Sequence, residues 1–230
     1  MKIGIIAAMP EEIKLLSAAL INGEKRIVGD FIFNQGVIGR HEVVLVESGI
    51  GKVMSSIAAT LLITSFKVDG LIHSGSAGAV AKGISIGDVV IATELAYHDV
   101  DVTGFGYKYG QLPNQPLYFE SSKYFVSELG KQIKQSGLNL HQGLIVTGDS
   151  FINSSQKIEN ILSHFPSALA IEMEGASVAQ TALAFSKPFV VVRAISDTAD
   201  HQATESFDHF ILEAGRNSAK TVIQLLEAMI

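Results

Sequence analysis

The sequence predicts an α/β fold, with a mostly parallel sheet covered by helices and a single domain spanning residues 1–230. Short continuous apolar runs, such as 3–8 and 189–192, are typical of strands that are buried on both faces. Longer segments with helical spacing of apolar residues, such as 53–66 and 121–135, alternate with these runs. No segment rich in proline, glycine and serine interrupts the 230 residues, which is why we expect one domain.

The composition argues against several classes of function. The chain carries 17 Lys and Arg against 23 Asp and Glu, a net charge of −6, which disfavours a nucleic-acid partner. It contains no cysteine, which excludes disulfides, thiolate zinc sites and thiol chemistry. No apolar run approaches the roughly 18 residues of a membrane span, and no signal peptide is recognisable after Lys2. We therefore expect a soluble cytoplasmic protein with no membrane partner.

The first strand, residues 3–8, runs into a helix that starts at Pro10 and that we expect to stop at residues 22–23. Glu11 and Glu12 lie in its first turn, where acids are favoured by the positive end of the helix dipole. That effect alone explains both residues. Glu12, however, also follows directly after a strand end, where ligands bind in α/β proteins.

A hairpin follows, with strands at 31–38 and 43–46, and a turn at 48–52 leads into the helix at 53–66. The Gly-Lys pair in this turn lacks the GxxxxGK[ST] spacing of a phosphate-binding loop, so we interpret it as a tight turn.

The next strand, 69–72, ends in the small-residue segment 73–78. A loop of small residues lets a ligand approach the backbone closely, which makes Ser76, Ala77 and Gly78 candidates for ligand binding. A packed turn is the alternative explanation.

A strand at 88–96 precedes a glycine-rich aromatic loop, 105–116. Aromatic residues on a loop usually cover either a ligand or a partner subunit. His98, Asp99 and Asp101 could suggest a metal site, but no recognised ligand spacing accompanies them, and we expect no metal.

Strands at 143–147 and 168–173 end in two further groups of candidate residues. Phe151 belongs either to the core or to a ligand site, where it would stack on a flat base. Glu172 and Glu174 stand in nearly apolar surroundings, where carboxylates are unfavourable unless paired or used. Glu174 suits bidentate hydrogen bonding to a sugar diol, although an acid at a helix N-terminus is the alternative.

The strand at 189–192 is followed by Arg193, Ser196 and Asp197, and a helix at 205–230 closes the chain. A carboxylate directly after a buried strand is partly desolvated, which favours its protonated form and suits it to proton donation. An ion pair between Arg193 and Asp197 is the alternative.

Polar or small-residue turns thus follow six apolar strands, and three of these turns carry carboxylates. If the strands are mostly parallel, their carboxyl ends meet at one edge and the turns line one crevice. Several carboxylates, one cation and a possible aromatic platform suggest acid/base chemistry on a polar sugar–base molecule.

With these residues together, the whole chain resembles the 5′-methylthioadenosine/S-adenosylhomocysteine nucleosidases of the nucleoside phosphorylase superfamily. Two departures from the family pattern are Pro10, where an acid is common, and Gly175, where relatives often have Ala. The segments that carry the resemblance are KIGIIAAMPEE, SGIGKV, GSAG, YHDVDVTGFGYKYGQLP, TGDSFI, IEMEGA and VVVRAISD.

The resemblance implies a three-layer α/β/α fold with a mixed, mostly parallel sheet, and a homodimer. It implies hydrolysis of the N-glycosidic bond of methylthioadenosine and adenosylhomocysteine to adenine and 5-alkylthioribose, without a metal or cofactor. Asp197 would be the general acid at N7 of adenine, and Glu12 the base for the attacking water. Glu174 would accept the ribose hydroxyls.

The remaining site residues also follow from the resemblance. Met173 would lie against the sugar, Phe151 would stack on adenine, and the backbone of Ile152 would read the adenine edge. Ser76 and Arg193 would help to place the water and Glu174. The other implied substrate-binding positions are Ala77, Gly78 and Ser196, then Met9, Ile50 and Phe207 around the 5′-alkylthio group, and Val102, Phe105 and Pro113 from the neighbouring subunit.

Three rival functions remain open. A phosphorolytic enzyme would need an anion site where the water sits, and Glu12 would repel phosphate there. A hydrolase for a related nucleoside such as futalosine is a second rival within the same fold. A catalytically silent nucleoside-binding protein is the third, and the intact Glu12, Glu174 and Asp197 argue against it.

Overall fold

The computed structural model describes residues 1–199 and 203–229. Over these residues the chain forms ten strands, six α-helices and one short 3₁₀ turn, Thr103–Phe105. In chain order the elements are β1 (Lys2–Ala7), α1 (Pro10–Ala19), β2 (Ile21–Val28), β3 (Phe31–Ile38), β4 (His41–Glu47), α2 (Lys52–Ser65), β5 (Gly70–Ala79), β6 (Val89–Tyr97), β7 (Phe119–Glu120), α3 (Lys123–Ser136), β8 (Leu140–Thr147), α4 (Ser155–His164), β9 (Ala168–Glu172), α5 (Gly175–Ala184), β10 (Phe189–Asp197) and α6 (Ala203–Ala228).

The strands form one mixed sheet in the order β10-β6-β8-β9-β5-β1-β4-β3-β2, with β7 paired to β6. Strand β10 also pairs with β5, so that β5, β10, β6, β8 and β9 close into a ring. The two longest pairings of this ring, β5–β10 and β6–β8, are parallel, whereas β6–β10 and β5–β9 are antiparallel. Because antiparallel pairs close the ring, the carboxyl ends of strands that run in opposite directions face one cavity.

Helices cover both faces of the sheet, which confirms the predicted three-layer α/β/α arrangement. Alternate residues of β1 point to opposite faces, as strand geometry requires. Ile5 packs in a core with α1, α3 and α6, and Ile6 packs in a second core with α2 and α5. Helix α4 packs in a smaller third cluster through Ile161, together with Val146 and Ile171.

Strands β2 and β7 and helix α4 have no counterpart in the sequence prediction. The first helix ends at Ala19 rather than at residues 22–23, and the chain continues directly as β2. Strand β2 lies at the edge of the sheet and is exposed along nearly its whole length, so it lacks the apolar run that marks a buried strand. Helix α4 fully buries only Ile161, while Ile158 and Leu162 are partly buried against the third cluster.

Two strands extend further than the sequence indicates. Residues 73–78 and 193–197 were expected to form turns, but they lie within β5 and β10. The two segments pair with each other in parallel, for example Arg193 with Gly75, which satisfies the backbone of these polar stretches. The final helix runs from Ala203 to Ala228 instead of 205–230, and Ile230 lies outside the described residues.

None of the helices within the described ranges is both long enough and apolar enough to cross a membrane.

Candidate active site

One cavity of about 420 Å³ lies at the carboxyl ends of β1, β4, β5, β8, β9 and β10. All six strand ends singled out in the sequence contribute to its lining. The cavity is lined by Ala8, Met9, Glu12, Ile50, Ser76, Ala77, Gly78, Phe151, Ile171, Glu172, Met173, Glu174, Ser196, Asp197, Thr204 and Phe207. We call Glu12, Ser76, Glu174 and Asp197 the polar floor of this cavity, and Met9, Ile50, Phe151 and Phe207 its apolar wall.

Glu12 is held on the polar floor by donors to both of its carboxylate oxygens. The backbone N–H of Ala8 donates to Oε2 at 3.0 Å. The backbone N–H and the hydroxyl of Ser76 both donate to Oε1 at 2.8 Å. Because these donors come from the β1–α1 turn and from β5, the buried carboxylate is fixed relative to two adjacent strands.

The close approach of strand and side chains here requires glycine at position 75. A Cβ added to Gly75 would lie 2.0 Å from Nη1 of Arg193 and 2.9 Å from Oε1 of Glu12. Both groups are buried and cannot move aside. Gly75 therefore lets a guanidinium and a carboxylate lie against the backbone of β5.

Asp197 reaches the cavity through an irregularity in β10. The register between β10 and β5 shifts after Ile195, so that Asp197 lies opposite Gly78. A β-bulge of this kind re-aims the side chains that follow it. Gly78 leaves the required space, since a Cβ there would be 2.7 Å from Oδ1 of Asp197. The hydroxyl of Ser196 donates to Oδ2 at 2.9 Å, and the backbone N–H of Ala199 donates to Oδ1 at 2.8 Å.

Glu174 stands at the N-terminal cap position of α5 and faces the same cavity. Its Oε1 accepts from the backbone N–H of Gly51 at 2.9 Å, and its Oε2 accepts from Nη2 of Arg193 at 3.3 Å. Burial, and next the negative charge of Glu172, raise the pKa of Glu174 to about 8. The carboxyl group thus changes its ionisation near neutral pH.

Arg193 lies beneath the polar floor, fully buried, and contacts Glu172 as well as Glu174. Burial lowers the pKa of Arg193, but the carboxylates of Glu172, Glu174 and Glu12 outweigh it, and the pKa is raised overall. His73 packs against the guanidinium, and its pKa is held well below the usual value by burial first and by Arg193 second. One cation therefore faces three carboxylates next to a neutral imidazole.

The apolar wall is more exposed than the floor. Phe151 and Phe207 meet edge to face, with ring centroids 5.7 Å apart and an interplanar angle of 73°. Phe151 is 40% exposed and Ile50 is 54% exposed. Ile152 is buried and lines a small cavity next to the main one, together with Phe151 and Asp197.

Three residues expected from a neighbouring subunit, Val102, Phe105 and Pro113, do not line the cavity of their own chain. Phe105 lies on the 3₁₀ turn and is 85% exposed.

Asp99, one of the metal candidates, binds Nζ of Lys52 at 2.7 Å, and Asp101 accepts from the backbone N–H of Thr103 at 3.0 Å. Residues 1–199 and 203–229 hold no group of three or more His, Cys, Asp or Glu placed to bind a metal ion.

Four lining residues were not assigned to the site from the sequence: Ala8, Ile171, Glu172 and Thr204. Glu172 stands in nearly apolar surroundings in the sequence, and this is the signal that marks it as unusual. Thr204 lies one residue before the predicted start of the last helix. Its neighbour on that helix, Phe207, was included, so helical spacing from Phe207 is the signal that could have found Thr204.

The arrangement fits acid/base chemistry on a molecule that is polar at one end and apolar at the other. Two buried carboxylates, Glu12 on helix α1 and Asp197 on strand β10, face one space, as proton transfer to and from a bound molecule requires. The carboxylates outnumber the single guanidinium, so an anionic ligand group would be repelled from the floor.

Comparisons with known proteins identify the family of the chain. The model of the phosphorylase superfamily matches residues 2–230. A 5′-methylthioadenosine/S-adenosylhomocysteine nucleosidase of Exiguobacterium sp. is 48% identical over 100% of this chain and 99% of its own length. The structure of such a nucleosidase from S. pneumoniae with a transition-state inhibitor is 56% identical, covers 99% of both chains and has a TM-score of 0.97. A futalosine hydrolase of Helicobacter pylori is 35% identical, covers 100% of this chain and 98% of its own, with a TM-score of 0.95.

Proposed function

The chain belongs to the phosphorylase superfamily and, within it, to the 5′-methylthioadenosine/S-adenosylhomocysteine nucleosidases, and on this premise we propose that it hydrolyses both nucleosides. The products are adenine and the corresponding 5-alkylthioribose. The observation that carries the proposal is that Glu12, Glu174 and Asp197 line one cavity with an apolar wall.

The reaction needs one base and one acid at the bond between the sugar and adenine. Glu12 takes a proton from the water that attacks C1′, while the C1′–N9 bond breaks and its electron pair moves into adenine. Asp197 supplies the proton that N7 of the leaving base accepts. Positive charge that develops on the sugar is stabilised by the nearby carboxylates.

The two acids are equally buried, at 2% exposed, and each is held by its own set of donors. Glu12 accepts three hydrogen bonds, two of them from backbone N–H groups, which fix it where a base must meet the attacking water. Asp197 accepts from the hydroxyl of Ser196 and the backbone N–H of Ala199, which fix it where an acid must meet the leaving base. The reaction itself requires one of the two to take a proton and the other to give one.

The remaining contacts orient the nucleoside. Glu174 accepts the ribose hydroxyls, Phe151 stacks on adenine, and Met9, Ile50 and Phe207 contact the 5′-alkylthio group. A carboxylate at a sugar diol is a bidentate acceptor, and it fixes the ring relative to the water.

Hydrolysis is favoured over phosphorolysis because the described residues that line the cavity include no Lys, Arg or His to hold phosphate. The buried guanidinium of Arg193 is already in contact with two carboxylates, Glu172 and Glu174. Phosphate on the floor would also meet Glu12, which repels it.

Adenine release from methylthioadenosine, measured with and without phosphate, tests the proposal. We expect equal rates under both conditions, and one atom of ¹⁸O in the sugar product when the reaction runs in H₂¹⁸O. Release that depends on phosphate and yields a sugar phosphate would identify a phosphorylase. Tight binding without adenine release would identify a silent binding protein.

A parallel reaction with futalosine distinguishes the second hydrolase candidate. We expect little turnover, because the apolar wall suits a thioalkyl group better than a carboxylated aromatic one. Faster turnover of futalosine than of methylthioadenosine would reverse the assignment of substrate.

The proposal includes a homodimer in which Val102, Phe105 and Pro113 complete the pocket of the neighbour. Phe105 is 85% exposed, and an exposed apolar face of α2 adjoins Ile50 at the cavity. This face consists of Val53, Met54 and Ile57. Exposed apolar patches of this kind are typical of subunit interfaces. The cytoplasmic location stays a prediction of the sequence.

A further inference from the structure

Glu172 is the most extensively bonded carboxylate of the site, although the proposed reaction assigns it no role. It is the last residue of β9, and its side chain is 2% exposed. Four groups donate to it: the hydroxyl of Thr147, the backbone N–H of Glu174 at 3.0 Å, the backbone N–H of Gly175 at 2.7 Å, and Nη2 of Arg193.

These donors connect β8, β9 and β10 with the start of α5, where Glu174 lies. The N–H groups of Glu174 and Gly175 open helix α5, where a carboxylate satisfies unpaired donors and meets the positive end of the helix dipole. Thr147 is the last residue of β8, and its hydroxyl also accepts from the backbone N–H of Ala176. A carboxylate accepts about four hydrogen bonds, so Glu172 has little capacity left for a ligand.

Glu172 also competes with Glu174 for Nη2 of Arg193. The closer partner of Nη2 is Glu172, and Glu174 lies 3.3 Å from the same nitrogen. Two other guanidinium nitrogens of Arg193, Nε and Nη1, are buried and make no hydrogen bond to the described residues. The cation is thus held mainly by Glu172, and its contact with Glu174 is the longer of the two.

We propose that Glu172 is a positioning residue of the nucleosidase reaction, which fixes the backbone of Glu174 and occupies Arg193 so that Glu174 can accept the ribose hydroxyls. This inference rests on the proposed function. Glu172 itself does not touch the substrate in this account and acts only through Glu174 and Arg193.

The proposal predicts a specific change in pH dependence. The charged groups that face Glu174 are Glu172 on β9, Arg193 on β10 and Glu12 on α1, with neutral His73 of β5 behind Arg193. In Glu172→Gln a like charge disappears and the guanidinium becomes available to Glu174. Both changes favour the ionised form of Glu174. Glu174 of the variant therefore ionises at lower pH than Glu174 of the wild type.

The experiment compares the pH profile of kcat/KM for methylthioadenosine in the wild type and in Glu172→Gln. We expect the wild-type value to rise with pH through about 8, the pKa of Glu174. In the variant the rise moves to lower pH, by about one unit. The control is Asp88→Asn, which neutralises a buried carboxylate that contacts Ser85, Asn139 and His141 away from the cavity and should keep the wild-type profile.

A substrate without ribose hydroxyls separates positioning from a general structural effect. With 5′-methylthio-2′,3′-dideoxyadenosine there is nothing for Glu174 to accept, so wild type and Glu172→Gln should have similar kcat/KM and similar profiles. An equal loss on both substrates, or an unshifted profile with methylthioadenosine, overturns the proposal.

Thr147→Val provides a second route if Glu172→Gln does not fold. It removes the hydroxyl that holds Glu172 but keeps the negative charge, so KM for methylthioadenosine should rise several-fold without a shift of the pH profile. An unchanged KM overturns the positioning role. Absence of adenine release in the wild type would refute the proposed function, whereas an active wild type with an unshifted Glu172→Gln profile would refute this inference alone.

Discussion

The polar floor and the apolar wall of the cavity differ in how they are built. Glu12, Glu174 and Asp197 on the floor are between 2% and 5% exposed, and each accepts hydrogen bonds from more than one group. On the wall, Ile50 and Phe151 are 54% and 40% exposed.

The buried groups of the site all come from one chain, whereas its apolar wall stays exposed. The floor is preorganised by strands β1, β5, β9 and β10. Small displacements of its side chains should therefore lower the catalytic rate strongly. The wall is exposed at Ile50, beside α2, where the proposed second copy of the chain would exclude water. Changes on the floor should therefore affect turnover, and changes on the wall should affect binding.

The largest effects are expected from the two reacting acids. In Asp197→Asn and Glu12→Gln, kcat for methylthioadenosine should fall on the order of 10²–10⁴-fold, because each variant loses proton transfer. The dissociation constant, measured by calorimetry, should change far less.

The matched control for this first prediction is Glu11→Gln, one residue from Glu12 on the same helix turn. Glu11 does not line the cavity, and its variant should keep wild-type turnover. Wild-type turnover in either Asp197→Asn or Glu12→Gln would contradict the prediction that changes on the floor affect turnover.

A methyl group at position 75 should also disturb the floor strongly. In Gly75→Ala the new Cβ would lie 2.0 Å from Nη1 of Arg193, so the free energy of unfolding should fall by about 1–3 kcal/mol. Displacement of Glu12 should lower kcat on the order of 10²-fold. Chemical denaturation and steady-state kinetics measure the two effects.

The corresponding control lies on the turn beside Phe105. A Cβ at Gly104 would meet nothing within 4 Å of the chain, so Gly104→Ala should change both quantities little. Equal losses in the two glycine variants would show that the floor is no more tightly built than the exposed turn.

Ionisation of Glu174 should make stability fall with rising pH. Because the pKa of Glu174 is raised from 4.5 to about 8, its neutral form stabilises the fold at low pH, and this contribution is lost as the pH rises through 8. Between pH 6.5 and 8 the loss should reach roughly 2 kcal/mol. The buried His73 and His98 have lowered pKa values, so their opposite contribution changes only below about pH 6.5.

Thermal unfolding of the ligand-free protein from pH 6.5 to 8 measures this loss. The wild type should lose stability over this window, and Glu174→Gln should lose less. Parallel curves for the two proteins would contradict the assigned ionisation of Glu174.

The smallest effect is expected on the exposed side of the pocket. Phe105→Ser should raise KM for methylthioadenosine roughly tenfold with little change in kcat, because Phe105 would contact the substrate pocket of a second copy. The control is Ile27→Ser on the edge strand β2, at a side chain that is also exposed but far along the sheet from the cavity. The proposed homodimer would be contradicted if the wild type sedimented as a monomer and Phe105→Ser kept the wild-type KM.

The sequence predicts candidate residues that line the cavity, but not the backbone that places them there. Glu12, Glu174 and Asp197 could be singled out as candidates because they stand next to buried apolar runs, and the family resemblance supplied their expected roles. The sequence could not reveal that Asp197 lies within a strand, since its position depends on the bulge after Ile195 and on the space at Gly78.

Other features escaped because they are tertiary. The closure of β5, β10, β6, β8 and β9 into a ring leaves no local pattern in the sequence. The contacts of Glu172 join three strands and one helix, so its bonding could not be inferred from its neighbours in the chain. Strand β2 is exposed, and exposed edge strands lack the apolar signal that marks buried ones.

A substrate with an activated leaving group tests most directly whether Glu12 and Asp197 have separate roles at one bond. The leaving group of 4-nitrophenyl 5-methylthioriboside, 4-nitrophenolate, departs without protonation. Cleavage of this compound therefore needs the base but not the acid. We predict that Asp197→Asn cleaves this compound at nearly the wild-type rate, whereas Glu12→Gln remains severely impaired. Equal impairment of the two variants, or rescue of Glu12→Gln instead, would contradict the account.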